Sequence, residues 1–123
     1  MDETKKLLIV DDEETLTFSL YQYFILAKQN FEVVTAASGE EAWEKINHEK
    51  FDLVITDIKM PGMSGLELLA QIKKHYPHLN VIVMTAYGSE DKKEEAMHKG
   101  ASFYLEKPFE MKEIRQLVMD ILS

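Results

Sequence analysis

The sequence predicts an open α/β fold, a five-stranded parallel sheet wound in both directions with helices on its two faces. Three observations carry that prediction. Five short apolar runs recur at fairly even spacing, three of them are continuous rather than alternating, and segments of helical length and periodicity separate them. Continuous apolar strands belong to parallel sheets covered on both faces.

The runs are LLIV (Leu7–Val10), FEVVTA (Phe31–Ala36), DLVIT (Asp52–Thr56), VIVMT (Val81–Thr85) and SFYLEK (Ser102–Lys107). β-Branched and aromatic residues bounded by polar ones read as strands. Between them Leu16, Leu20, Tyr23, Phe24 and Ala27 fall at three- and four-residue intervals, as do Leu66, Leu69 and Ile72, and Ile114, Leu117, Val118 and Ile121. Such spacing gives one apolar helix face. Ser38 with Glu41 and Ser64 with Glu67 match the S-x-x-E capping box, and Ser89 precedes acids suited to a helix N-terminus. Gly100 is placed to end the fourth helix, Pro61 and Gly62 mark a turn, and Gly65 fits tight packing at the next helix start. Five βα units are too few for a barrel, so the expectation is a flavodoxin-like (βα)5 sheet of order 2-1-3-4-5 over a single domain, residues 1–123.

Composition narrows the function. At 123 residues with 46% hydrophobic and 29% charged residues, the chain reads as one ordinary globular domain. A net charge of -8 disfavours direct contact with nucleic acid. With no cysteine there is no thiolate chemistry, and the N-terminal MDETKK opens no signal peptide or membrane segment, so a cytoplasmic location is expected.

In this fold ligands bind at the carboxyl ends of the strands. The residues found there are Asp11 and Asp12, Asp57, Thr85 and Lys107. Taken singly each has a plainer reading: Asp12 a helix cap, Asp57 a turn residue, Thr85 strand filler, Lys107 a solvated lysine. Together they say more. Three converging carboxylates are costly unless a cation bridges them or their pKa values rise, and Mg²⁺ needs only one or two carboxylates while keeping several waters. Glu13 and Glu14 read as the first turn of a helix, where negative charge is favourable.

The pair Asp11-Asp12, the stretch DIKMPGMSG beginning at Asp57, MTAYGS around Thr85 and KPF beginning at Lys107 resemble the receiver domain of two-component response regulators, in order and spacing over essentially the whole chain. The resemblance implies Asp57 as phosphoacceptor, and Mg²⁺ held by Asp11, Asp12, Asp57 and the backbone carbonyl of Lys59. It implies Thr85 and Lys107 as phosphoryl-binding groups, Tyr104 as an aromatic switch, and a cis peptide before Pro108. It further implies that the side chains of Lys59 and Tyr87 tune phosphoryl lifetime, and Tyr87 is expected to do so by partly covering the phosphoryl group. Implied partners are a sensor histidine kinase or a histidine phosphotransfer protein, and an output domain or partner protein at the surface of the fourth helix, fifth strand and fifth helix, with homodimerisation left open. AYGS and AMHKGA resemble receivers attached to enhancer-binding activators of nitrogen-regulator type. A chain that ends at its fifth helix is expected to be either a stand-alone receiver or a piece of a longer regulator.

Two departures stand out. The fourth helix, SEDKKEEAMHKGA, carries Lys93 and Glu94 where such receivers have small or branched apolar residues, leaving Ala96 and Met97 as its expected buried face. Its poverty in apolar contacts predicts the most mobile helix. Phe103 replaces a usual Asp or Gly and is expected to be buried. His48, His75, His78 and His98 have no metal-ligand pattern, and the seven methionines read as gap-fillers. Among competing readings, a phosphatase of haloacid-dehalogenase type wants a second Asp where Lys59 stands, and a flavin carrier wants a phosphate cradle where DDEE stands.

Overall fold

The computed structural model describes residues 4–27 and 30–123; the first three residues of MDETKK lie outside them. Five strands alternate with five helices: β1 Lys5–Val10, α1 Glu14–Ile25, β2 Phe31–Ala36, α2 Gly39–His48, β3 Leu53–Asp57, α3 Gly65–His75, β4 Asn80–Thr85, α4 Glu90–His98, β5 Phe103–Glu106 and α5 Met111–Leu122. All pairings are parallel and the order is β2-β1-β3-β4-β5. This is the flavodoxin-like order expected from the sequence.

Strand alternation splits the core in two. Leu8, Val10, Val54, Val81 and Val83 pack under α2, α3 and α4, while Leu7, Ile9, Leu53, Ile55, Ile82, Met84 and Leu105 pack under α1 and α5. The three central strands bury residues on both faces, hence their continuous apolar runs.

The helix ends follow their sequence signals. The Ser64 side chain accepts from the Glu67 N–H at 3.1 Å and the Glu67 carboxylate accepts from the Ser64 N–H at 2.9 Å, a complete capping box. Ser38 caps α2 by accepting from Glu41 N–H, while the Glu41 carboxylate reaches one residue further back, to the Ala37 N–H. Ser89 occupies the first cap position of α4 without a side-chain cap bond. Gly100 has φ 104°, and bonds from Gly100 N–H to Met97 and from Ala101 N–H to Ala96 close α4.

Two burial expectations are corrected. Met97 is exposed and Lys93 is buried, so α4 turns Lys93 and Ala96 to the sheet. Centring the buried stripe on those two places Met97 at its rim, because successive helix residues stand about 100° apart. Phe103 is 41% exposed. It starts the edge strand β5, and α5 covers Leu105 further along but leaves Phe103 at an open groove beside Lys112 and Leu117.

Candidate phosphoryl site

The site gathers at the C-terminal ends of β1 and β3, where the strand order reverses. β1 delivers Asp11, whose backbone N–H still donates to Ala36 of β2 at 3.1 Å, and whose Oδ1 accepts from the Glu13 N–H at 2.9 Å. Asp57 closes β3, its Oδ1 accepting from the Ile58 N–H at 3.1 Å and its carbonyl accepting from the Thr56 hydroxyl at 2.9 Å. Asp11 is 1% and Asp57 9% exposed, whereas Asp12 is exposed. One carboxylate oxygen from each of the three lies within 4.8 Å of the others.

Gly65 fixes the Asp57 backbone. A Cβ there would stand 1.9 Å from the Asp57 carbonyl oxygen, while the Gly65 N–H donates to Ile58 at 2.7 Å. The start of α3 therefore lies directly on the peptide that carries the central carboxylate.

Lys107 supplies the opposing charge. Its Nζ stands 3.1 Å from Asp11 Oδ2, 3.3 Å from Glu13 Oε1 and 3.5 Å from Asp57 Oδ1. The contact with Glu13 corrects its reading as a mere first-turn residue: Glu13 is the N-cap of α1 and lends a carboxylate to the lysine. The Lys107 backbone N–H donates to Thr85 at 2.8 Å, and the Lys107-Pro108 peptide is cis.

One lysine does not compensate the acids. Burial, then the neighbouring Asp11 charge, push Asp57 up from 3.8 to about 6 against the pull of Lys107. Burial likewise raises Asp11. Lys107 is raised in turn: burial opposes its charge, but hydrogen bonding to Asp11 and attraction by Asp57 outweigh it. The donors are all hard oxygens, partly satisfied and short of positive charge, a set that fits Mg²⁺. Beside them Thr85 is buried, and its Oγ1 has no hydrogen-bond partner among the described residues. Such a hydroxyl costs about 1–3 kcal/mol unless another group accepts it.

Tyr104 is half-buried on β5, stacked on Phe103 at 5.3 Å. Tyr87 is 80% exposed in the loop after β4, and Lys59 is exposed. Sequence reasoning missed Glu13 as a partner of Lys107 and missed the burial of Lys93, whose ammonium is ion-paired with Glu106 and Glu90.

Fold and site together define a doubly wound α/β protein with an acidic, cation-accepting cluster at its switch point. A family model described as response regulator receiver domain matches residues 7–119. Over 113 residues the chain is 44% identical to response regulator protein FleR of Pseudomonas aeruginosa, covering 92% of this chain and 24% of that one. It is 38% identical over 118 residues to sporulation initiation phosphotransferase F of Bacillus subtilis, covering 96% and 94%. Among solved structures, a response regulator receiver domain protein from Clostridium thermocellum superposes with a TM-score of 0.87 at 35% identity, over 96% of this chain and 94% of that one.

The chain belongs to the response regulator receiver domain family, the phosphoacceptor modules of two-component signalling. It spans about a quarter of the length of FleR and nearly all of phosphotransferase F. Receiver domains interact with histidine kinases and output domains and bind Mg²⁺ at an aspartate cluster, and relatives here include receivers of the enhancer-binding activator type. No helix among the described residues is long and apolar enough to cross a membrane.

Proposed function

We propose that residues 1–123 form a single receiver unit that takes a phosphoryl group onto Asp57 from a sensor histidine kinase or a histidine phosphotransfer protein, in the cytoplasm. The observation that carries this reading is the convergence of carboxylate oxygens of Asp11, Asp12 and Asp57 within 4.8 Å of one another beside a lysine whose ammonium reaches Asp11 at 3.1 Å and Asp57 at 3.5 Å. A carboxylate oxygen of Asp57 attacks phosphorus, the new O–P bond forms as the N–P bond of the donor phosphohistidine breaks, and the departing imidazole recovers a proton from solvent.

Asp11, Asp12, Asp57 and the backbone carbonyl of Lys59 would hold Mg²⁺. When bound, that ion neutralises charge on the phosphoryl oxygens and lowers the repulsion among the acids. Lys107 already faces Asp57 and pairs with the phosphoryl group it acquires. Gly65 and the Ile58 N–H keep the Asp57 carboxylate in place. The partnerless Thr85 hydroxyl finds its acceptor in a phosphoryl oxygen.

Phosphorylation replaces the single charge of the Asp57 carboxylate with the about 1.5–2 negative charges of a phosphoryl group at this edge. Movement of Thr85 toward them, with Tyr104 turning inward, biases the surface of α4, β5 and α5 that an output domain or partner protein reads. Homodimerisation through this chain is compatible with the same surface. The unit is a signalling module that promotes its own phosphotransfer and dephosphorylation, with Lys59 and Tyr87 setting the lifetime. Incubation with Mg²⁺ and a small acyl-phosphate donor tests the reading: intact mass gains one phosphoryl group in wild type and none in Asp57→Asn. No gain in wild type, or equal gain in both, refutes it.

A further inference from the structure

α4 has little apolar cover, and apart from Ala96 its buried residue is Lys93, 8% exposed. A buried ammonium is tolerated where charges and hydrogen bonds meet it. Here Nζ lies 2.7 Å from Glu106 Oε2, 3.0 Å from Glu90 Oε1 and 5.2 Å from the centroid of the Tyr104 ring. The last distance places it over the ring face in cation–π range. The same Glu106 oxygen accepts from the Gly88 N–H at 3.3 Å. One ammonium therefore ties together the first turn of α4, two side chains of β5 and, through Glu106, the loop between β4 and α4. Hydrogen bonds to Glu106, then to Glu90, hold Lys93 above the ordinary lysine range.

Two of the tied pieces, the Gly88 loop and β5, adjoin phosphoryl-site residues. Gly88 stands three residues after Thr85 in the loop that Thr85 begins. Glu106 precedes Lys107 directly and is the β5 partner of Thr85 in the parallel ladder. Tyr104 and Glu106, two apart on a strand, present the same face to α4. Fixing the Glu106 side chain thus fixes the main chain from which Lys107 reaches Asp57.

We propose that Lys93 is a positioning residue for the phosphoryl site, acting through Glu106, Tyr104 and the Gly88 loop to hold Thr85 and Lys107 where transfer needs them. The proposal rests on Asp57 as acceptor. A misplacement of about 1 Å can cost a hundredfold in rate, so loosening this tie should cost roughly tenfold. Phosphorylation by a small acyl-phosphate donor with Mg²⁺ is followed for wild type, Lys93→Arg, Lys93→Met and Glu106→Gln, with amide exchange measured on each.

The expected result is a maximal rate about tenfold lower in Lys93→Met and Glu106→Gln, no further loss in the double variant, and near wild-type rates in Lys93→Arg. Exchange should quicken at Gly88 and in β5 while β1 and β3 keep wild-type protection. Wild-type rates in both Lys93→Met and Glu106→Gln overturn the proposal, as does an equal loss in Lys93→Arg. If wild type takes no phosphoryl group, it is the reading of Asp57 that fails. The exchange data then decide alone, unchanged protection at Gly88 and Glu106 overturning the role of Lys93.

Discussion

Asp57→Asn should make the protein more stable, by an amount that depends on pH. The substitution keeps the shape and leaves an amide oxygen to accept from the Ile58 N–H at 3.1 Å, but removes the charge that burial and Asp11 disfavour. In the folded chain the carboxyl titrates at about 6 instead of 3.8. At about 1.4 kcal/mol per pH unit, holding Asp57 ionised in the fold costs about 3 kcal/mol at neutral pH. The folded state binds this proton more tightly than the unfolded one. The stability Asp57 contributes is therefore full below 3.8 and is lost as pH rises through about 6. Urea denaturation of wild type and Asp57→Asn without divalent ions, from pH 4.5 to 8, reads the difference. The variant's advantage should be small at the acid end and approach about 3 kcal/mol at pH 8, roughly 10 °C in Tm. An advantage independent of pH, or a variant less stable than wild type at pH 8, would refute the reasoning.

Other residues give sharper single readings. Gly65→Ala brings a methyl against the Asp57 carbonyl, which the backbone has to yield to, so unfolding free energy should fall by the upper part of about 1–3 kcal/mol; an unchanged urea midpoint would contradict the close approach. Thr85→Val replaces a partnerless buried hydroxyl with a methyl, and should leave stability equal or raise it by about 1 kcal/mol while the phosphorylation-induced change at α4 and β5, read by amide exchange, disappears. Tyr87→Ala, at an 80% exposed position, should change stability by less than about 0.5 kcal/mol and speed dephosphorylation several-fold; an unaltered rate removes Tyr87 from lifetime control.

The sheet was legible because its physics is local. Apolar strands of four to six residues, the serine caps at Ser38 and Ser64 and Gly100 each report on neighbouring residues and agree with the structure, although only Ser64 with Glu67 completes the reciprocal box, Glu41 turning to the Ala37 N–H. Asp11, Asp12 and Asp57 were legible for a different reason: topology alone brings the ends of β1 and β3 together. What escaped depends on pairs distant in sequence. Lys93 has no place on the buried face expected from sequence until Glu106 and Tyr104 arrive from β5 to meet its ammonium, and the face then centres on Lys93 and Ala96 with Met97 exposed. Phe103 reads as core until α5 is seen to cover Leu105 and not its neighbour two residues earlier. Glu13 looked like helix-end charge because nothing nearby in sequence announces Lys107.

The central claim is that Asp57 accepts the phosphoryl group while Asp11 and Asp12 do not. Borohydride reduces an aspartyl phosphate to homoserine, so reduction after incubation with Mg²⁺ and an acyl-phosphate donor, followed by peptide mapping, marks the acceptor directly. Homoserine at position 57 and at neither 11 nor 12 is the predicted result. Homoserine at 11 or 12, or its absence from 57, would contradict the account.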